Sequence, residues 1–187
     1  CIFKNARSAT IEIGDEGIFH TKREYEVYVN DAFYQKTDRV ITGIYDLQPS
    51  SDYKVRIVAE DEQACIEIKT DEEFVTLNVR DFGAKGDGIT DDTLFIQSAI
   101  MACPKKGRVL IPEGTYKVTS LFLKDDLNLE LAQGAVLSAE TDRRKFPIYP
   151  GLIQSWDETE EYNLGTWEGN PLPMFSAIIT GVNVKHV

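Results

Sequence analysis

From Val79 to Ile111 the chain reads VRDFGAKGDGITDDTLFIQSAIMACPKKGRVLI, and this stretch limits what the rest can become. A strand-like entry at Leu77 and Val79 leads through a turn rich in glycine (Gly83, Gly86, Gly88) into one amphipathic segment. Thr90 is expected to cap a helix there, its hydroxyl accepting from a first-turn amide, and Asp91 and Asp92 put negative charge where the helix dipole favours it. Ile96, Ala99, Ile100 and Cys103 fall at i, i+3, i+4 and i+7, which makes one buried stripe, and Pro104 with Gly107 ends the pattern. Everything after it has the periodicity of strands. A lone helix with one apolar face, followed by short strands, is read as a lid over the end of a sheet structure whose first edge would otherwise stand open.

Upstream, from Ser8 to about Thr70, the pattern has period two: Ala9, Ile11 and Ile13; Tyr25, Val27 and Val29; Tyr53, Val55 and Ile57; Ile66 and Ile68. Turn signals at Gly14–Gly17, Asn30-Asp31, Gln48–Asp52 and Glu60–Glu62 separate the runs, so the expectation is an all-β sandwich of about seven short strands. Leu47-Gln48-Pro49-Ser50-Ser51-Asp52-Tyr53, followed by Val55 and Ile57, resembles the L-x-P-x-[ST]-x-Y of fibronectin type III modules, in which the tyrosine hydroxyl ties back to upstream backbone. The pattern departs from those modules in lacking a Trp in its second strand and in leaving only Ile2–Lys4 for the first. Asp71-Glu72-Glu73 marks the boundary, giving a sandwich over 1–72 and a second part over 73–187. Exposed aromatics among Tyr25, Tyr28, Phe33, Tyr34 and Tyr45 offer a sugar-stacking role, set against a spacer or packing role for the module.

Downstream of the helix, Arg108–Ile111, Tyr116–Val118, Leu121–Leu123, Leu127–Leu131 and Ala135–Ser138 are short apolar runs broken by Gly or Asp. They suit the rungs of a solenoid, where each coil buries its inner face only when the next one stacks on it. The Glu140–Met174 stretch has no clear periodicity and holds both tryptophans, Trp156 and Trp167, with Tyr149 and Tyr162 among acidic residues. Structureless stretches of that length are usually functional or disordered.

The block V-x-D-F-G-A-x-G-D-G-x-T-D-D-T-x-x-I-Q-x-A-I, carried by Val79, Asp81, Phe82, Gly83, Ala84, Gly86, Asp87, Gly88, Thr90 to Thr93, Ile96, Gln97, Ala99 and Ile100, resembles the opening of the pectin-degrading right-handed parallel β-helix proteins. The likeness continues through Gly107, Val109, Ile111, Pro112, Gly114 and Tyr116, then Leu121, Leu123, Lys124, Leu129, Leu131, Gly134, Ala135 and Leu137, and points to the polygalacturonase branch, glycoside hydrolase family 28. It implies a β-helix begun under a helical cap, and inverting hydrolysis of α-1,4-linked galacturonic acid, with pectin or oligogalacturonide as substrate and no metal or cofactor. Trp167-Glu168-Gly169 stands where that branch carries W-E-G, which implies substrate binding by Trp167 and Glu168; Thr166 replaces the arginine usual before it. The alternative is that these residues form the loop's own packing core.

Inversion needs a protonated carboxyl at the leaving oxygen and a carboxylate activating water about 6.5–9.5 Å away. The family's N-x-D, D-D, G-H-G and R-x-K are not present in context. Asp91-Asp92 is assigned to the helix start and Asp125-Asp126 to a turn; His20 lies in the sandwich, His186 lacks flanking glycines, and Arg143-Arg144-Lys145 lacks the R-x-K frame. Catalytic residues are therefore expected beyond Val187, and the chain is read as the N-terminal region of such an enzyme, inactive alone. A non-catalytic β-helix binding or structural protein, of tailspike or adhesin type, shares the cap block and stays open as the alternative.

With 20 basic against 31 acidic residues and a net charge of −11, the chain argues against nucleic acid as partner. No apolar run approaches the roughly 18 residues of a membrane span. Three cysteines, Cys1, Cys65 and Cys103, have no metal-ligand spacing, and buried free thiols are expected. No signal peptide is visible, and compartment and oligomeric state stay open.

Overall fold

The computed structural model describes residues 1–14, 16–60, 62–149, 152–154, 161–163, 166–168 and 170–187, with backbone alone considered at 152–154, 161–163, 166, 167 and 171. It divides into two compact units, Cys1–Glu73 and Phe74–Val187. Glu73 falls in the first unit because its buried carboxylate takes a forked pair of bonds from Arg7, Nε and Nη2 each at 2.9 Å.

The first unit has seven strands: β1 (Phe3–Lys4), β2 (Ala9–Glu12), β3 (His20–Val29), β4 (Ala32–Arg39), β5 (Ile41–Ile44), β6 (Asp52–Ala59) and β7 (Glu62–Lys69). They form two antiparallel sheets, ordered β1-β2-β5 and β4-β3-β6-β7. Period-two patterning turns one face of each sheet inward. Ala9, Ile11 and Ile44 from the first sheet meet Val27, Val55 and Ile68 from the second in one buried cluster with Leu47. Each aliphatic so buried contributes about 1.5–3 kcal/mol. Asn30 and Asp31 take positive φ of 48° and 63°, the left-handed pair a two-residue hairpin between β3 and β4 requires. The Tyr53 hydroxyl accepts from Gln48 N at 2.7 Å, five residues upstream, so Tyr53 serves the framework.

In the second unit the chain winds through three parallel ladders. The first stacks β8 (Val75–Asn78), β10 (Gly107–Ile111) and β13 (Asn128–Leu131); the second stacks β9 (Asp87–Asp91), β11 (Gly114–Val118) and β14 (Ala135–Ala139). The third pairs β12 (Leu121–Phe122) with Ile179–Thr180. Register keeps like over like: Val109 lies between Leu77 and Leu129, and Tyr116 beside Leu137. Helix α1 (Thr93–Ala102) stands in the first coil where the third ladder has its strand in the next. Its stripe of Ile96, Ala99 and Ile100, with Cys103, is fully buried in one cluster with Val109, Ile111, Tyr116, Val118 and Leu121.

Several local expectations are corrected. Val79 is not strand; it opens a 3-10 turn over Val79–Phe82. The helix begins at Thr93 with Asp92 at the N-cap, and Thr90 belongs to β9, its hydroxyl donating to Asp87. The amide of Thr93 is met by Asp91 Oδ1 at 3.0 Å, so Asp91 does the work assigned to Thr90. Of the cysteines only Cys103 is buried, and desolvation pushes its thiol pKa up; Cys1 and Cys65 are exposed. The stretch after Glu140 is not without structure. It holds β15 (Ile148–Tyr149), β16 (Leu152–Gln154), β17 (Glu161–Asn163), β18 (Thr166–Trp167), β19 (Asn170–Pro171) and β20 (Met174–Phe175), paired antiparallel as β15-β20, β16-β17 and β18-β19, before the third ladder resumes at β21 (Ile179–Thr180).

Candidate functional site

The insertion between β14 and β21 is the part of the second unit that departs from coil geometry, and its base is held from several sides. Glu140, buried at the end of β14, takes bonds from Lys145 Nζ at 2.7 Å and from the amides of Thr141 and Asp142, and pairs with Lys117 of β11 at 3.1 Å. Those donors, Lys145 foremost, hold its pKa at about 2. On the opposite strand of the insertion the Ser176 hydroxyl meets that of Ser120 in a buried pair, and Ser176 N donates to Pro147 O at 2.9 Å. Tyr149 stands edge-on to Phe122 with ring centroids 6.2 Å apart. Tyr149, Met174, Phe175, Ser176 and Ile179 line an open cleft of about 280 Å³, mostly apolar.

Beyond this base, Thr166–Trp167 pairs with Asn170–Pro171, and Glu168 is exposed in the turn between them with φ of 50°. The backbone thus holds Trp167 and Glu168 at the tip of a hairpin. The Trp167 side chain and all of Trp156 lie outside the described residues.

The acidic pairs have structural duties. Asp92 is wholly buried, and its two oxygens accept from Lys85 N at 2.7 Å and Gly86 N at 2.9 Å, which ties the glycine loop to the helix start. Gly86 (φ 64°) leaves no room for a side chain, since a Cβ there would stand 2.8 Å from the Tyr116 ring. Asp125 accepts from Lys185 N at 2.8 Å, and Asp126 pairs with Lys105 at 2.7 Å. Asp87 accepts from the amides of Thr90 and Ile89 and from the Thr90 hydroxyl, which bring its pKa to about 2. Arg143–Lys145 forms a short 3-10 turn in which Arg144 bonds Asp142 and Lys145 bonds Glu140, so this basic run is anchored.

A general acid for glycoside cleavage needs a carboxyl kept protonated by burial or a like charge. Every carboxylate shift resolved among the described residues runs the other way, at Glu26, Asp38, Asp87, Asp126, Glu140 and Asp142. Hydrogen-bond donors stabilise the anion in each, first Tyr28 for Glu26, His20 for Asp38, Thr90 for Asp87, Lys105 for Asp126, Lys145 for Glu140 and Arg144 for Asp142. Such groups brace structure rather than donate protons. Among the described residues no cluster of His, Cys, Asp and Glu able to hold a metal ion is found.

The cap block and the run after it carry three polar residues, Thr93, Gln97 and Lys124, whose use the sequence reading did not identify. Phe122 presents its N–H and C=O to the helix side of β12, because Leu121 and Leu123 donate to the other side, to Ile178 and Thr180. The Gln97 side chain takes both: Phe122 N donates to Oε1 at 2.7 Å and Nε2 donates to Phe122 O at 3.0 Å. One primary amide thereby stands in for a neighbouring strand. Thr93 accepts from Thr119 N at 2.9 Å, and Lys124 Nζ donates to the carbonyls of Met101 and Cys103 at the helix C-terminus, where a cation is favoured. The spacing of Thr93 and Gln97, four residues apart on one helix face, was the available signal.

Parallel coils with an α-helix on their core and a long insertion between successive strands define an all-β solenoid. The proteins similar to this chain include carbohydrate-active enzymes and a plasmin and fibronectin-binding protein. A family profile described as rhamnogalacturonase A/epimerase, pectate lyase-like, matches residues 76–130. An exo-poly-alpha-D-galacturonosidase of Dickeya chrysanthemi is 44% identical over 71 residues, 38% of this chain and 12% of that protein. A plasmin and fibronectin-binding protein A of Streptococcus pneumoniae is 46% identical over 118 residues, 55% of this chain and 16% of that protein. Among solved structures, a family 28 exopolygalacturonase of Yersinia enterocolitica aligns over 97% of this chain and 36% of its own length, with a TM-score of 0.59 and 23% identity, which is a likeness of fold. The chain therefore spans only a small fraction of these relatives.

Proposed function

We propose that this chain is the N-terminal region of a glycoside hydrolase that cuts galacturonan with inversion: a fibronectin type III-like sandwich over 1–72, then the helix-capped first coils of a right-handed parallel β-helix over 73–187. The observation that carries the reading is the similarity to the Dickeya exo-poly-alpha-D-galacturonosidase, supported by the match of residues 76–130 to the pectate lyase-like family. The sandwich assignment is supported by the three-plus-four strand arrangement and by the Gln48–Tyr53 bond. Pectin or an oligogalacturonide is the substrate, and the insertion between β14 and β21 forms one wall of its path, with Trp167 and Glu168 at its tip contacting sugar. The acid and water-activating carboxylates come from coils following those described, because the acidic pairs here are committed to backbone amides and lysines.

A reducing-end assay on polygalacturonate tests both parts of this reading. The protein extended past Val187 should release reducing ends and the 187-residue chain should not. Activity of the 187-residue chain that survives replacement of Asp91 and Asp92 would mean that the chain holds a catalytic group outside that pair and would refute this part of the reading. The second reading, a non-catalytic surface-binding β-helix, is favoured by the similarity to the pneumococcal plasmin and fibronectin-binding protein. It predicts no release of ends by the extended protein and saturable binding to plasmin or fibronectin.

A further inference from the structure

The three-stranded sheet of the first unit has an outer face that the core does not use. Ala9, Ile11, Thr42 and Ile44 point inward and are buried, so Thr10, Glu12, Ile41 and Gly43 point out. Directly paired residues share a face, so Phe3, opposite Thr10, points out as well. Phe3–Thr10–Gly43 is then one cross-strand row on this face.

At the Gly43 end of the row the missing side chain is replaced by a ring. A Cβ on Gly43 would stand 2.5 Å from Cζ and 2.7 Å from Cε2 of Tyr45, so the hydroxyl end of the phenol ring occupies the space a side chain would take. Tyr45 is nonetheless 63% exposed, and Phe3 at the far end of the row is 53% exposed. The backbone around the ring is tied down: Tyr45 N donates to the Tyr34 hydroxyl at 2.9 Å, and Gln35 Nε2 donates to Gly43 O at 3.2 Å. An exposed aromatic lying on a glycine, with its backbone pinned, is a preformed platform and gives up little side-chain freedom on binding. The two aromatics are separated by two strand spacings, about 10 Å, with the Thr10 hydroxyl between them.

We propose that this face is a carbohydrate-binding platform for an uncharged pyranosyl chain. Tyr45 and Phe3 stack on the apolar C–H faces of sugar rings about a disaccharide apart, and Thr10 and the Tyr45 hydroxyl, neither hydrogen-bonded among the described residues, meet ring hydroxyls. Uncharged sugar is the occupant that the charges favour. The outward positions of β1, β2 and β5 include Glu12 and no lysine or arginine, so a polyuronate would be repelled where a neutral or methyl-esterified chain is not. The size of the patch argues the same way. Two half-exposed aromatics and Ile41 offer on the order of 300–400 Å², about half of what one side of a stable protein interface buries. The platform is independent of where hydrolysis occurs, so its test does not depend on activity.

The 187-residue chain is run by affinity electrophoresis through gels containing methyl-esterified galacturonan, β-1,4-galactan, a soluble β-1,4-glucan or de-esterified polygalacturonate. At least one neutral polymer should retard it, and polygalacturonate should retard it less than its methyl ester. Tyr45→Ala and Phe3→Ala should each weaken the retarding interaction by about tenfold. Gly43→Ala should do the same by lifting the Tyr45 ring, with an unchanged melting temperature, since the backbone at Gly43 is ordinary strand. A chain retarded by none of the neutral polymers overturns the proposal. So does retardation that all three variants leave unchanged, and so does a concentration-dependent dimer that Tyr45→Ala abolishes, which would make the face a protein interface.

Discussion

Replacing Gln97 tests whether one side-chain amide closes the open edge of the third ladder. Gln97→Leu keeps roughly the same bulk and removes both partners of Phe122, whose N–H and C=O then face the helix with nothing to bond. An unsatisfied buried group costs about 1–3 kcal/mol. Both groups here are only partly buried, so water recovers some of that and about 2–3 kcal/mol is expected for the pair. For a unit between 100 and 150 residues, each kcal/mol lowers the midpoint by roughly 3–6 °C, so the second unit should melt about 10 °C lower. Both tryptophans lie in this unit, so their fluorescence follows it specifically. Hydrogen exchange at the Phe122 amide supplies the local readout and should accelerate by at least the factor the lost stability implies. Gln97→Glu should fall between, keeping the acceptor for Phe122 N while setting a carboxylate against Phe122 O. A Gln97→Leu protein that melts within about 2 °C of the parent, with Phe122 exchange unchanged, would show that the ladder edge does not depend on this amide.

Three further outcomes follow from the same geometry. Asp92→Ala should destabilise the second unit by about 2–4 kcal/mol, because it leaves the part-buried amides of Lys85 and Gly86 without their acceptor, whereas Asp91→Asn keeps an acceptor for Thr93 N and should cost no more than about 1 kcal/mol; denaturant titration orders the two, and the reverse order would refute the assignment. Ile100→Asp puts a charge into the core cluster under α1, where even truncation of an aliphatic costs about 2–5 kcal/mol, so tryptophan fluorescence should report an unfolded second unit while backbone resonances of β2, β3 and β6 stay dispersed. Glu140 binds its proton far more weakly folded, with a pKa of about 2, than its ordinary 4.5, so its contribution is full above about pH 4.5 and disappears as pH falls towards 2; Glu140→Gln should flatten this part of the acid limb in a pH series of melts, and an unchanged limb would count against the Lys117–Glu140–Lys145 brace.

Local chemistry determined much by itself. The i, i+3, i+4, i+7 stripe required a helix with something apolar beneath it, and period-two runs between Gly, Asn and Asp turns required half-buried strands, because burial on one face of either element admits no other spacing. Asn30-Asp31 demanded a left-handed hairpin turn, since few other pairs tolerate it. What the chain could not display is which residues become partners once the elements have packed. The cap at Asp92 rather than Thr90 was decided by the glycine loop folding back to give two amides to a buried carboxylate. Gln97 became a surrogate strand only because β12, twenty-five residues on, presents its free edge at that point. Glu140 looked like one acid among many until β11 brought Lys117 beside it. The space at Gly43 is filled only because Tyr45 lies across it. Spacing along a chain encodes the period of a local element; partners between elements are set by register and coil stacking, which exist only once the tertiary structure has formed.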